Sequence, residues 1–402
     1  MKHNDARDSF RMSRRALMGS LPVWGSLLVW TAPLLVTGCA ATPGERFAPI
    51  ERRVRRDIAA GHTPGAVVTV CHRGALVYRG VFGARALVPE RLPMTWETHF
   101  DMASLTKVLI TAPSLMQFWE AGFFGLDDPV ARYWPEFAAN GKDGITVRML
   151  LTHYSGLPPD VDLKTPWTGK EEGLRRVVGS TPDHPPGTNF VYSDINFLAL
   201  GFLVEHFSRL PLDVYARQHI LKPMGLDHSG FLPSAALKPV IAPTQYDENG
   251  VILDGVVHDP TARRMGGVAG HAGYFSTPGD TTRYALALMD RLKGRASAFP
   301  LKRETLQLMT TPQQPLKEAT DIRGLGWDIA THFSSPRGAI FPTGSFGHTG
   351  YTGTSLWFDP FSDSAVMILT NRVHPDGKGN VVALRRDVAT LAARALGLEA
   401  RG

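Results

Sequence analysis

Cysteine is almost missing from this chain of 402 residues, which has only Cys39 and Cys71. There is no Cys-x-x-Cys and no His-Glu-x-x-His. None of the pairs Gly141-Lys142, Gly169-Lys170 and Gly377-Lys378 is followed by the Ser or Thr of a phosphate-binding loop. Dithiol redox chemistry, thiolate zinc sites, zinc-protease chemistry and nucleotide hydrolysis therefore have no motif to stand on. A strong excess of one charge is missing too. The formal net charge is +6, and the residues before Cys39 carry Lys2, Arg7, Arg11, Arg14 and Arg15 against Asp5 and Asp8, which leaves +3 for the rest. So balanced a chain has no nucleic-acid footprint. With 43% hydrophobic and 20% charged residues it is an ordinary folded chain, long enough for one large core or two lobes.

A long apolar run occurs at the amino terminus, from Ala16 to Val36, behind the basic residues just named. It ends in Val36-Thr37-Gly38-Cys39, so residues 1–38 read as an export signal. Ser13-Arg14-Arg15-Ala16-Leu17-Met18 resembles a twin-arginine signal, and the last four residues resemble a bacterial lipobox. That resemblance implies a periplasmic protein anchored by a lipid on Cys39, with Ala40 behind it pointing to the outer membrane. The alternative is an uncleaved anchor, since about twenty apolar residues span a bilayer. With Cys39 lipidated, Cys71 has no partner and is expected as a buried thiol in an apolar run.

Apolar residues at Phe47, Ile50, Val54 and Ile58 predict an amphipathic helix that ends near Gly61 and Pro64. Ala66–His72 and Ala75–Phe82 predict a hairpin turning at Arg73-Gly74. A helical pattern from Ser104 through Leu105, Leu109, Ala112, Met116 and Trp119 stops at Gly122, with a kink expected at Pro113. A second runs from Ile195 to His206. Near the end the strand period returns at Gly353–Phe358 and Ala365–Thr370, and a last helix carries Leu384, Val388, Leu391 and Ala395. Strands and a helix at each end predict one antiparallel sheet flanked by terminal helices, an α/β lobe of about residues 44–100 and 275–402. A mostly helical lobe of about residues 101–274 is inserted in it, and a cleft between the two is the expected site.

Three stretches can carry chemistry. Ser104-Leu105-Thr106-Lys107 puts a hydroxyl and an amine on one helix face, where an amine of lowered pKa can take the hydroxyl proton. Tyr192-Ser193-Asp194 precedes a helix that Ser193 or Asp194 can cap, and Tyr192 reads equally as a half-buried aromatic. Phe346-Gly347-His348-Thr349-Gly350-Tyr351-Thr352-Gly353 leads into a strand and reads equally as a glycine turn.

In that order the three resemble the motif set of the class C β-lactamase and penicillin-binding-protein superfamily of serine hydrolases. Leu150-Leu151-Thr152-His153-Tyr154-Ser155-Gly156-Leu157-Pro158, Ile220–Leu226, Trp357-x-Asp359-Pro360 and Thr370-Asn371-Arg372 add to the resemblance. It implies that Ser104 is acylated, that Lys107 takes its proton and that Tyr192 later activates water. The oxyanion hole would be the N–H groups of Ser104 and Tyr351. Asp194, His348, Thr349 and Gly350 would meet substrate, and no metal or other cofactor is called for. His258-Asp259 and Gly266–Gly273 resemble a periplasmic esterase-like or penicillin-binding subgroup, so that His271 either lines the cleft or is a buried, hydrogen-bonded histidine.

Two positions depart from the commonest pattern. Asp194 stands where Asn is usual and, when ionised, only accepts hydrogen bonds. His348 stands where Lys is common and would charge only on acidification, from a reference pKa of about 6.5. Taken alone these favour neutral esters or amides over carboxylate-bearing donors, unless Arg263, Arg264 or Arg372 restores the charge. The readings are thus a hydrolase of ester or amide bonds in small molecules, a D-alanyl-D-alanine carboxypeptidase or β-lactamase acting on peptidoglycan-derived substrate or its mimics, and a non-catalytic ligand sensor. The leader generates its own test. Mature protein should partition with membranes and lose its acyl group in Cys39→Ser, whereas unprocessed protein beginning at Met1 in the cytosol would refute export.

Overall fold

A strand that is apolar without interruption needs cover on both faces. In the computed structural model, which describes residues 43–400, β1 (Gly65–His72) is buried along nearly its whole length. The leader with Cys39 lies outside the described residues. Ala66, Val68 and Val70 face a core shared with Phe47, Ile50 and Val54 of the Pro43–Ala59 helix and Leu384 and Val388 of the Val382–Ala395 helix. Val67 and Cys71 face a larger core built mainly by the middle of the chain. The Cys71 thiol is free, and burial pushes it up to about 12.

Next come β2 (Ala75–Ala86) and β3 (Leu92–Pro93), joined to β1 through Arg73 and Gly74, whose φ values of 50° and 79° suit a tight hairpin. A small second sheet is formed by β4 (Phe100–Asp101), β5 (Gly230–Phe231) and β6 (Tyr274–Ser276). The main sheet is completed by β7 (Ile322–Arg323), β8 (Asp328–Ala330), β9 (Phe346–Thr349), β10 (Ser355–Asp359) and β11 (Ser364–Leu369). Its eight strands run in the order β3-β2-β1-β11-β10-β9-β8-β7. Strands from both ends of the chain meet at the antiparallel pair β1 and β11, where Val68 lies opposite Ile368. The two terminal helices pack on one face, and Arg53, held within its own helix by Asp57 at 2.6 Å, joins them through Asp387 at 2.9 Å. This is the predicted sheet with flanking terminal helices, and the segment between β3 and β7 is mostly helical.

The kink expected at Pro113 takes a definite form. Lys107–Thr111 is a turn of π-helix, closed by the Ala112 N–H on the Lys107 carbonyl, and a regular helix follows over Ala112–Glu120 with Pro113 in its first turn. Proline lacks an N–H, and the wide turn hands over to a new helix where that donor is not needed. The Gly266–Gly273 stretch has a packing reason as well. A Cβ on Gly270 would stand 2.0 Å from the Phe197 carbonyl and 3.0 Å from the Gly201 Cα, both in the Asp194–Ser208 helix. Thr111 Oγ1 donates to the Gly270 carbonyl at 2.6 Å. Gly270 therefore serves a close approach to a helix. Among the described residues no helix is long and apolar enough to cross a membrane. Gly270→Ala should cost about 1–3 kcal/mol, the usual range for overpacking, because the obstruction is backbone; an unchanged urea midpoint would contradict this.

Candidate active site

The turn before Ser104 is held from three sides. Asp101, at the end of β4, is buried and accepts the Ala103 N–H at 2.8 Å and the His258 N–H at 2.7 Å. The Thr352 hydroxyl donates to the Asp101 carbonyl at 2.8 Å, and the Thr354 hydroxyl to the Met102 carbonyl at 3.2 Å. A Cβ on Gly350 would lie 2.7 Å from that same Met102 carbonyl, so only glycine lets the β9–β10 connection come so close. Ala103 is held at φ 47°, a left-handed conformation that a residue with a Cβ adopts only when its surroundings enforce it. The clamp brings Ser104 and Tyr351 to one cleft of about 480 Å³, and neither N–H has an intramolecular partner among the described residues.

Lys107 lies beneath Ser104 with its side chain 0% exposed. Its Nζ donates to Ser104 Oγ at 3.2 Å and to the His271 carbonyl at 3.2 Å, and pairs with Asp194 Oδ1 at 2.6 Å. Burial works to lower the amine's pKa, but the Asp194 carboxylate and then Tyr192 outweigh it and hold the pKa above its ordinary value. The lowered amine expected from sequence is therefore not what this geometry provides. Asp194, the first residue of its helix, is turned to Lys107 and is not among the cleft-lining residues, contrary to its assignment as a substrate contact.

Tyr192 lines the cleft with a buried hydroxyl, and the Lys107 ammonium stands 5.1 Å from its ring centroid. Burial first, opposed by Lys107, raises its pKa, so it is a neutral phenol. His153 sets the ring by stacking on it at 4.5 Å, and His153 Nδ1 accepts the Ser193 N–H and the Asn196 amide, both at 3.1 Å. That is the work of the Leu-Leu-Thr-His stretch. His153 closes the Val147–Thr152 helix at φ 61°, a cap whose lateral contacts sequence spacing does not reveal.

His348, Thr349, Gly350 and Tyr351 all line the cleft. His348 Nδ1–H donates to the Thr349 carbonyl at 2.8 Å, and burial followed by the charges of Arg323 and Lys107 drives its pKa well below the ordinary value. Burial and its cationic neighbours thus hold it neutral, contrary to the expectation that mild acid charges it. His271 is 1% exposed and is the buried, hydrogen-bonded alternative rather than a cleft residue. Its Nε2 meets Asp259 Oδ1 at 2.8 Å, and although burial opposes charge, Asp259 raises the imidazole while the imidazole lowers the carboxyl. Asp194, Asp259 and His271 converge within 4.8 Å, but each carboxylate already has a cationic partner, so the group is a compensated ion-pair cluster rather than a metal site.

The cleft is more cationic than two motif positions suggested. Arg323, Arg372, Lys378 and Arg385 line it, against Asp328. Arg323 faces Asp328 at 3.6 Å, and Lys378 pairs with Asp376 at 2.7 Å. Among the described residues Arg372 and Arg385 make no ion pair: Arg372 Nε donates to the Tyr351 carbonyl at 2.8 Å and its guanidinium lies 4.4 Å from the Tyr351 ring centroid, while Arg385 Nη2 donates to the Gly350 and Thr354 carbonyls at 2.8 Å. Burial, then the charge of Arg372, lowers Arg385 to about 9. Arg263 and Arg264 are not among the lining residues.

The sequence model described as Beta-lactamase matches residues 50–391. The chain belongs to the beta-lactamase family. A provisionally named D-alanyl-D-alanine carboxypeptidase of Escherichia coli O157:H7 is 30% identical over 368 residues, covering 82% of this chain and 83% of its own. An N-acetylmuramyl-L-alanine amidase of Bacillus subtilis (strain 168) is 31% identical over 366 residues, covering 81% of this chain and 80% of its own. A class C beta-lactamase structure superposes with a TM-score of 0.70 at 21% identity, over 89% of this chain and 98% of that one, a likeness of fold. Within this family fold, Asp101, His153, Thr352, Thr354, Asp259 and Arg385 support the residues that line the site, and Asp101, Thr354 and Arg385 lie in none of the stretches that carry the resemblance. Asp101→Asn leaves one oxygen for two buried N–H donors, so we expect a loss of about 1–3 kcal/mol and slower labelling of Ser104 by a fluorophosphonate. Wild-type values for both would remove Asp101 from this role.

Proposed function

We propose that this protein is a serine hydrolase that forms an acyl-enzyme at Ser104 and cleaves an amide or ester bond in a donor carrying a carboxylate, with D-alanyl cell-wall peptides as the leading substrate class. The observation that carries the reading is Ser104 Oγ at 3.2 Å from Lys107 Nζ, in a cleft that also holds two guanidinium groups with no carboxylate partner among the described residues. Ser104 attacks the acyl carbon. The oxyanion is received by the N–H groups of Ser104 and Tyr351, one such donor being worth about 3 kcal/mol. Tyr192, a phenol beside the nucleophile, then orients the water that releases the acyl group. A carboxylate on the substrate is met by Arg372 and Arg385, which take the place of the absent motif lysine. One relative's name, D-alanyl-D-alanine carboxypeptidase, supports that class, and the other's, N-acetylmuramyl-L-alanine amidase, supports an amide bond as the target. The intact Ser104, Lys107 and Tyr192 weigh against a ligand sensor. The neutral His348 is what favours neutral esters as the second reading. Export and a lipid on Cys39 would set the enzyme in the periplasm, on the outer membrane.

Incubation with a fluorophosphonate and, separately, a fluorescent penicillin, followed by peptide mapping, should label Ser104. Ser104→Ala should abolish turnover with little change in melting temperature; retained turnover sinks the assignment. A peptide ending in D-Ala-D-Ala should exceed its C-terminal amide in kcat/KM by about tenfold or more, equivalent to about 1.4 kcal/mol. Arg372→Gln should shrink that ratio. Equal rates for acid and amide would shift the reading to neutral esters.

A further inference from the structure

Paired as it is, Lys107 can accept the Ser104 proton only after giving up one of its own. Its ammonium is enclosed, donates to Ser104 Oγ and the His271 carbonyl, and rests 2.6 Å from Asp194 Oδ1. A protonated amine has no lone pair, and the neighbouring phenol of Tyr192 is neutral. The contact that does offer a basic lone pair is the Asp194 carboxylate, which stands where an amide would offer none.

Building on the serine-hydrolase reading, we propose that Asp194 is a positioning residue that acts through Lys107 as the terminal holder of the Ser104 proton. Within one step, an Nζ–H bond of Lys107 breaks first as its proton bonds to Asp194 Oδ1, which frees a lone pair on Nζ. As Ser104 Oγ bonds to the acyl carbon, its O–H bond breaks and that proton bonds to the freed lone pair. Lys107 is an ammonium before and after the step. The negative charge that stood on Asp194 reappears on the acyl oxygen, between the two backbone N–H groups. When the tetrahedral intermediate collapses and the bond to the leaving group breaks, the leaving atom takes a proton back by way of Lys107 and Asp194 is again a carboxylate. Atoms and charge balance with no outside base.

The groups around the pair leave this route open. Asp259 and His271, from the 258–271 segment, compensate each other at 2.8 Å. Asp160, on the loop that follows the Val147–Thr152 helix, is pushed up to about 6 by burial and is occupied by the Thr261 hydroxyl at 2.9 Å. His153 and His348 are held neutral by burial and by the positive charges of Arg323 and Lys107. Arg323 itself faces Asp328. None of these makes an ion pair with Lys107 among the described residues.

The test compares wild type with Asp194→Asn, Asp194→Glu and Ser104→Ala, measuring fluorophosphonate labelling and ester hydrolysis from pH 5 to 10, with circular dichroism as a control for folding. Asp194→Asn should slow acylation at pH 7 by about 10²-fold or more, the scale of lost acid–base catalysis. It should also move the acid limb of kcat/KM upward, because only the neutral amine then serves, and Asp194→Glu should recover part of the rate. If Asp194 merely keeps Lys107 charged, the Asn variant will instead acylate as fast as wild type or faster at pH 7, and the proposal falls. A proton inventory on wild type in mixed light and heavy water gives a second reading that needs no variant. Two protons in flight support the relay and one overturns it. Absence of label on wild-type Ser104 would be a failure of the hydrolase reading, distinct from either result.

Discussion

A primary ammonium completely out of water must be paired, since the unpaired charge costs several kcal/mol even after the protein relaxes. Lys107 is such a group, and much of the interior is arranged around it. Asp194 supplies the countercharge from a helix N-terminus, where a carboxylate is also favoured by the helix dipole. The His271 carbonyl supplies an acceptor, and the imidazole of that residue is in turn fixed by Asp259. The nearby histidines His153 and His348 are kept neutral, which avoids a second uncompensated cation in the same space. Stability and reactivity thus share one constraint, because the pairing that makes the buried lysine tolerable also decides how it meets the serine.

Close backbone approach does the rest of the assembly. Gly270 lets the 266–273 segment lie against the Asp194–Ser208 helix, so that the His271 carbonyl reaches Lys107. Gly350 does the same for the β9–β10 connection, which meets the Met102 carbonyl and is tied there by Thr352 and Thr354. Ala103 is strained as a result, and the strained residue is the one directly before the nucleophile. Ser104 is therefore positioned by the sheet and by two loops, not by its helix alone.

Charge in the cleft comes from a different part of the chain. Arg372, Lys378 and Arg385 belong to the stretch that follows β11 and enters the last helix, and they stand over the cleft because β11 sits in the centre of the sheet. Arg385 spends its guanidinium on the Gly350 and Thr354 carbonyls, so it braces the Ser104 turn while adding positive potential beside it. Two motif substitutions that reduce positive charge are in this way offset by residues outside the three catalytic stretches, of which Arg372 was legible in the sequence and Arg385 was not.

Local pattern was enough for β1, β2, β10, β11 and the terminal helices, because those strands are β-rich runs and Phe47, Ile50, Val54, Leu384 and Val388 carry a helical period, whereas β9, which reads as a glycine turn, and the short β7 and β8 show themselves only by pairing in the sheet. Local spacing likewise set Ser104 and Lys107 one turn apart, and motif order placed Tyr192 and His348 in the same cleft. What spacing cannot carry is the charge state of a side chain, which depends on neighbours distant in the chain and on the exclusion of water. For that reason the raised Lys107, the neutral His348, the burial of His271 and the turn of Asp194 toward the lysine were decided only by tertiary structure. The same holds for Arg385 and the Asp101 clamp, whose partners are backbone atoms brought near by the fold and leave no pattern in the chain.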